Sequence, residues 1–212
     1  MRTAAIIPAF NEERTIRRTI HVLQHVELLD EIIVVNDGSA DRTAEVVAEE
    51  LGVFLLNLPE NRGKGGAVRA GLDRTKSEAI LLLDADLVGL RRQHIIDLIS
   101  PVLSGRAKAT MGVFTEGRAM TDIAQLVAPK LSGQRGMLRE LLMGVDMEDT
   151  RFGLEVAINR HLEELGVEIL EVPLDNLSQY TKEEKMGLWK GIKARASMYY
   201  DVLKILAGRD TR

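Results

Sequence analysis

The chain has 212 residues, of which 45% are apolar and 28% charged, with a formal net charge of −4 and no cysteine. This length and balance fit one globular domain that buries its own core, and they argue against disorder. The missing cysteines exclude disulfides, thiolate nucleophiles and cysteine zinc sites and suit a cytoplasmic chain, while the negative charge argues against a dedicated nucleic-acid binder.

From Met1 to Phe10 a short apolar run meets Asn11-Glu12-Glu13 at once, so no secretory leader is expected. Thr3–Pro8, Glu31–Asn36, Val53–Asn57 and Glu78–Asp84 are continuous apolar runs of strand length. Runs of that kind suit strands buried on both faces of a parallel sheet. Between them, Glu12–His25, Asp41–Leu51 and Lys64–Lys76 are long enough for crossover helices. Asn11 is expected to cap the first of these, with Glu12 and Glu13 complementing the helix dipole in its first turn. Gly38-Ser39-Ala40-Asp41 offers a turn and two candidate caps for the second. Gln93–Leu103 reads as another helix and Lys108–Phe114 as another strand. The rhythm predicts an α/β, Rossmann-like three-layer fold with a central, mostly parallel sheet. The most apolar stretch, Ala79–Leu90, carries Asp84 and Asp86 and is far shorter than the ~20 residues needed to cross a bilayer.

Beyond Gly117 the pattern loosens. Met120–Ala128 reads as helical, Ser132-Gly133-Gln134-Arg135-Gly136 as a loop, Gly153–Leu165 as a helix closed by Gly166, and Val167–Val172 as a strand ended by Pro173. Lys185–Leu206 is a C-terminal amphipathic helix with an apolar stripe through Leu188, Ile192, Ala196, Tyr199, Leu203 and Leu206. Its basic face (Lys185, Lys190, Lys193, Arg195, with Trp189 beside them) suits peripheral contact with an anionic membrane. The apolar stripe equally suits packing on its own domain or on a second copy in a homodimer. No repeat or linker divides the chain, so residues 1–212 read as a single domain.

The sharpest chemical feature is Asp84-Ala85-Asp86, directly after the apolar run Ala79–Leu83. In open α/β sheets, ligands bind beyond the carboxyl ends of the strands. Two carboxylates there suit a hard cation such as Mg²⁺ or Mn²⁺, with a diphosphate supplying further oxygens. The same residues also suit a plain surface turn. Asp37 closes Val34-Val35-Asn36-Asp37-Gly38-Ser39, where it can accept hydrogen bonds from a base or ribose, or simply shape a strand-to-helix turn. Asn61-Arg62-Gly63-Lys64-Gly65-Gly66 precedes a helix and offers free N–H groups and a cation. It imitates a dinucleotide fingerprint, but Val68 stands where the third glycine belongs. His21, His25, His94 and His161 do not form a metal-ligand cluster, and no Gly-x-Ser-x-Gly or Walker sequence occurs.

In their order and spacing, Ile6-Ile7-Pro8-Ala9-Phe10-Asn11-Glu12-Glu13, Val34–Thr43, Asn61–Ala67 and Leu83-Asp84-Ala85-Asp86 resemble family 2 of the glycosyltransferases, which have the GT-A fold. The resemblance implies a nucleotide-sugar-binding half at 1–115 and an acceptor half with the C-terminal helix at 116–212. It implies that Pro8, Ala9 and Glu12 line the nucleotide pocket, Asp37 holds the base and Lys64 lies beside the donor. Asp84 would contact ribose or metal, and Asp86 would be the principal ligand of Mg²⁺ or Mn²⁺. Ser132-Gly133-Gln134-Arg135 is similar to a loop of the polyprenyl-phosphate sugar transferases in which the arginine serves the acceptor phosphate, which assigns Ser132 and Arg135 to the acceptor. Phe152-Gly153-Leu154-Glu155 and Val167–Pro173 resemble the following helix and strand of that subgroup. Met147-Glu148-Asp149-Thr150 resembles the pair that supplies a base, so Asp149 is the candidate base for a hydroxyl acceptor. Asn176–Lys182 departs from the lipid-linked pattern, which keeps small phosphorylated or hydroxyl acceptors open, as in the glucosyl-phosphoglycerate synthases. The implied activity is transfer of a hexose from a UDP- or GDP-sugar. Its rivals are a sugar nucleotidyltransferase, whose glycine-rich first turn is missing here, and a catalytically silent nucleotide-sugar-binding regulatory domain.

Overall fold

In the computed structural model, the described residues are 1–115, 132–147 and 153–179. The predicted helices at Met120–Ala128 and Lys185–Leu206, and the candidate base Asp149, lie outside them. The elements run β1 (Thr3–Ala9), α1 (Ile16–Leu23), β2 (Glu31–Asn36), α2 (Thr43–Ala48), β3 (Phe54–Asn57), α3 (Gly63–Arg74), β4 (Ala79–Leu82), β5 (Leu87–Val88), α4 (Arg92–Leu103) and β6 (Ala109–Phe114). They continue with β7 (Arg135–Leu138), α5 (Arg139–Met143), α6 (Leu154–Glu164), β8 (Ile169–Leu174) and β9 (Ser178–Gln179).

Among the described residues, seven strands form one sheet in the order β3-β2-β1-β4-β7-β6-β8, and β5 pairs with β9 in a separate ribbon. β1 is parallel to β2 and β4, β2 to β3, and β6 to β8, so the sheet is mostly parallel as expected. The exception is β7, antiparallel to both β4 and β6. Its first residues belong to the segment expected to be a loop. Four residues with a glycine carry no periodic signal of their own, and the strand exists because two non-local neighbours complete its hydrogen bonds.

Side-chain alternation sorts each strand between two cores. Ala5, Ile7 and Ala9 join Ile16 and Ile20 of α1, Val47 of α2 and Ile95 and Leu98 of α4. Ala4 and Ile6 point the other way, to Val68 and Leu72 of α3, Leu142 of α5 and Ile158 of α6. Two helical layers therefore sandwich the sheet, which explains why the strands are apolar on both faces.

Close backbone approaches set the depth of this packing. A Cβ on Gly71 would lie 2.7 Å from Ile6 Cγ2, so a bare backbone lets α3 rest directly on β1. On the other face, a Cβ on Gly136 would lie 2.4 Å from the Leu98 carbonyl, which places α4 against β7. β8 does not stop at Pro173 but runs on to Leu174, and Pro173 pairs with Val113. Among the described residues β8 is an edge strand, the place in a sheet where proline is tolerated.

Candidate active site

Four parallel strands finish at one edge of the sheet: β1 at Ala9, β2 at Asn36, β3 at Asn57 and β4 at Leu82. The connections wind outward from β1 to β2 and β3, then return across it to β4. That reversal opens a crevice between the ends of β1 and β4, the position where open α/β sheets take ligands.

The crevice walls are backbone stitched to backbone. The Asp37 N–H donates to the Ala9 carbonyl at 2.9 Å, and the Leu83 N–H to the Ile6 carbonyl at 3.3 Å. Pro8 and Ala9 lie opposite Val35 and Asn36. Asn11 sits at φ 58°, in the left-handed region that asparagine tolerates better than most residues. It does not cap α1. Its N–H donates to Ser39 Oγ and its Oδ1 accepts from the Ala40 N–H, each at 2.9 Å, so it binds the β1 and β2 loops together. α1 starts only at Ile16, behind Thr15, whose hydroxyl donates to Glu12 Oε2 at 2.7 Å.

Asp37 is buried, and its Oδ1 accepts from the Arg62 N–H at 2.7 Å. Burial pushes its carboxyl above the usual range, against the lowering effect of the Arg62 and Gly63 N–H groups. Beside it Gly38 holds φ +67°, and a Cβ there would lie 2.7 Å from the Glu60 carbonyl carbon. The loop that leads into α3 can therefore close over Asp37 only because residue 38 is glycine.

Across the crevice Lys64, in the first turn of α3, places Nζ 2.5 Å from Asp84 Oδ1 and 2.5 Å from Glu155 Oε1 on α6. Burial opposes the ammonium charge, but the two carboxylates outweigh it and raise the lysine well above its ordinary value. Asp84 is depressed in turn. Burial favours its neutral form, and Lys64, followed by the Gln134 and Gln179 amides, overcomes that. Gln134 grips Asp84 twice: Nε2 donates to Oδ2 at 2.9 Å, and Oε1 accepts the Asp84 N–H at 3.0 Å. Gln179 Nε2 donates to the same Oδ2 at 2.5 Å. Gly133 backs the pair so closely that a Cβ would lie 2.5 Å from Lys64 Nζ.

Asp86 is half-buried in the turn that follows β4. Among the described residues no three His, Asp or Glu side chains gather to hold a metal ion by themselves. Asp84 and Asp86 contribute carboxylate oxygens, the donor type that Mg²⁺ or Mn²⁺ would take, and a metal there would need further ligands from elsewhere. Ser132 is buried and accepts the Gln134 N–H at 3.2 Å. Arg135 has no exposed surface, and its Nε donates to the Ser132 carbonyl at 2.8 Å. Burial pulls its guanidinium down to about 10, against the effect of nearby Glu155. It borders a cavity of about 10 Å³ shared with Pro8, Lys64, Leu82, Leu154 and Glu155, room for a single water.

The structure thus gathers Pro8, Lys64, Asp84, Ser132 and Arg135 on one side, with Ala9, Glu12 and Asp37 along the β1–β2 wall. The sequence reading missed the roles of Gly133, Gln134, Glu155 and Gln179. All four lie in segments already singled out, but only long-range folding brings them to Lys64 and Asp84.

The sequence model of the family described as glycosyl transferase family 2 matches residues 4–162. A dolichyl-phosphate beta-glucosyltransferase of Trichomonas vaginalis is 44% identical over 94 residues, covering 38% of this chain and 29% of its own length. A dolichyl-phosphate beta-glucosyltransferase of Dictyostelium discoideum is 29% identical over 157 residues, covering 66% of this chain and 45% of its own. The chain thus spans less than half the length of these two relatives. Among solved structures, glucosyl-3-phosphoglycerate synthase of Mycobacterium tuberculosis, in complex with Mn²⁺, UDP-glucose and phosphoglyceric acid, superposes with a TM-score of 0.71 at 25% identity. That match covers 84% of this chain and 71% of the other. Its complex with Mn²⁺ and UDP-glucose reaches a TM-score of 0.80 over 98% of this chain and 78% of the other, at 23% identity, which shows the shared fold.

Proposed function

The chain belongs to glycosyl transferase family 2, and from that premise we propose that it is a metal-dependent glycosyltransferase moving a hexose from a nucleotide sugar to a phosphorylated acceptor. The observation that carries this reading is the convergence at the β1/β4 crevice. A buried carboxylate, Asp37, lies at one end, and Lys64 paired with Asp84 lies at the other, with Asp86 two residues further along the chain. The first suits the N–H groups of a base, and the second suits the charges of a diphosphate.

Asp84 and Asp86 would hold Mg²⁺ or Mn²⁺, which when bound offsets charge that develops on the departing nucleoside diphosphate. Lys64 holds a permanent positive charge at the same point, fixed by Asp84 and Glu155 before any substrate arrives. A cation already in place costs no reorganisation as negative charge grows. Pro8, Ala9 and Glu12 would line the nucleotide along β1. Ser132 and Arg135 support an acceptor phosphate from the floor of the crevice. Arg135 does so from full burial, as a source of field beneath the site rather than as an exposed hand. A phosphate acceptor is already anionic and needs no base. A hydroxyl acceptor would call on Asp149.

The solved structure crystallised with UDP-glucose and phosphoglyceric acid favours UDP-glucose as donor, and the relatives named dolichyl-phosphate beta-glucosyltransferases keep a lipid phosphate open as acceptor. A lipid acceptor would place the chain at the inner face of a membrane, and a small one would leave it free in the cytoplasm. No helix among the described residues is long and apolar enough to cross a membrane.

The test is calorimetric titration of UDP and GDP, each with and without Mn²⁺, into the wild type and Asp86→Ala. Mn²⁺-dependent binding of one nucleotide, lost in Asp86→Ala with the fold intact, is the expected result. Incubation of the sugar nucleotide with dolichyl phosphate or with phosphoglycerate then separates the acceptors. Folded wild type that binds neither nucleotide would overturn the donor site. Pyrophosphate release from a nucleoside triphosphate and a sugar phosphate would replace the reading with a nucleotidyltransferase.

A further inference from the structure

The segment from Asp175 to Gln179 runs alongside residues 84–91 and is tied to them step by step. The Arg91 guanidinium donates to the Asp175 carbonyl at 2.6 Å. The Asn176 carbonyl presses on Gly89, where a Cβ would lie 2.3 Å from its oxygen, and Asn176 itself holds φ 59°. Leu177 is fully buried in the core beneath α1 and α4. Ser178 and Gln179 pair with Val88 and Leu87 in the β5–β9 ribbon. Thr115 Oγ1 secures the near end by donating to Asp175 Oδ1 at 2.6 Å. The strap ends with Gln179 Nε2 on Asp84 Oδ2.

We propose that Gln179 is a positioning residue of the donor site, which acts through the Asp84 carboxylate. The proposal rests on the donor-site reading above and assigns a residue from beyond the nucleotide-binding half to it. Asp84 receives donors at both oxygens: Lys64 at Oδ1, and Gln134 and Gln179 together at Oδ2. Gln134 is buried and belongs to the floor, so it holds Asp84 from within. Gln179 is exposed and reaches Asp84 from outside the sheet, at a place fixed by its backbone pairing rather than by its side chain. Together the amides stop the carboxylate from turning about its last bond while Lys64 pulls on the other oxygen.

The residue type suits that task. A glutamine amide orients a carboxylate without changing the net charge of a site that must admit a cation. A lysine at 179 would repel the metal, and a glutamate would repel Asp84. The donor site and the 175–179 strap are therefore one mechanical unit, and the aim of Asp84 is set from the far end of the described chain.

Gln179→Met keeps the length of the side chain and the backbone pairing but removes the donor, and Gln179→Asn is too short to span the contact. Binding of UDP alone and of UDP with Mn²⁺ is measured by calorimetry for both variants and the wild type, with thermal melting of each. The expected result is unchanged melting, unchanged binding of UDP without metal, and about tenfold weaker binding with Mn²⁺ in both variants, the low end for a hydrogen bond to a charged group. Equal Mn²⁺-dependent affinity in wild type and Gln179→Met would overturn the positioning role while leaving the donor site standing. A parallel drop with and without metal, or a large drop in melting temperature, would make Gln179 a structural tie instead. Wild type that binds no nucleotide would overturn both readings together.

Discussion

Lys64 Nζ lies 2.5 Å from Asp84 Oδ1, and this contact joins the first turn of α3 to the end of β4 across the strand-order reversal. Glu155 meets the same ammonium from α6, so three segments spanning residues 64 to 155 converge on one cation. The pair is therefore part of the fold and part of the site at once.

The pH dependence follows from the two shifts. Asp84 is depressed, so the stability it contributes is present above the unfolded carboxylate value of about 3.9 and lost as pH falls through its lower folded value. Lys64 is raised, so its contribution is present below about 10.4 and lost as pH rises through its higher folded value. Asp84→Asn is expected to lower stability by a roughly constant amount between about pH 5 and 10, with the gap closing in acid. Urea unfolding at stepped pH measures this. A gap that widens towards acid would refute the assignment.

Lys64→Met leaves Asp84 and Glu155 facing one another with no cation between them. Two nearby carboxylates without a counter-charge repel, and they also make a better cation site than before. The variant is expected to melt lower than the wild type, yet to bind Mn²⁺ in the absence of nucleotide more tightly. Thermal melting with and without Mn²⁺ tests both halves, and metal should recover part of the lost stability.

Gly133→Ala tests how closely the loop before β7 backs the ion pair. The new methyl would lie 2.5 Å from Lys64 Nζ and 2.7 Å from Asp84 Oδ2, so the pair must part or the loop must shift. Overpacking of this kind costs about 1–3 kcal/mol. Denaturant unfolding should show that loss, and UDP titration should show weakened binding with it. Retention of full binding would mean the loop yields freely.

Asp37→Asn separates stability from function. Burial raises the Asp37 carboxyl, so its ionised form destabilises the fold as pH rises through and above the unfolded value of about 3.9. Asparagine keeps an oxygen for the Arg62 N–H and drops the charge. The variant is expected to be at least as stable as the wild type at pH 7, while UDP affinity falls about tenfold or more for loss of a charged acceptor. Melting curves and calorimetry at pH 7 check the two effects separately.

The N-terminal half was legible in the sequence because its signals are local. Continuous apolar runs fix strands buried on both faces, and Asp37, Lys64 and Asp84 fall at strand ends or a helix start wherever such a rhythm is wound into a parallel sheet. Glu31–Asn36 has the bounds its apolar run predicts, and β1, β3, β4 and β6 lie within two residues of theirs, while the two-residue β5 is not predicted. Local reading failed where a residue answers to a distant one. Asn11 was expected to cap α1, but the β2 loop claims its side chain. Ser132–Gly136 reads as a loop, yet Arg135 opens a strand that forms between β4 and β6. Gln179 carries no motif, and only the β5–β9 ribbon brings it to Asp84. Composition and spacing thus determined the parallel strands, the crevice at their ends, and Asp37, Lys64 and Asp84 beside it. Tertiary structure decided which of those charges meet, because hydrogen bonds of a few ångströms depend on chain crossings that no local period records.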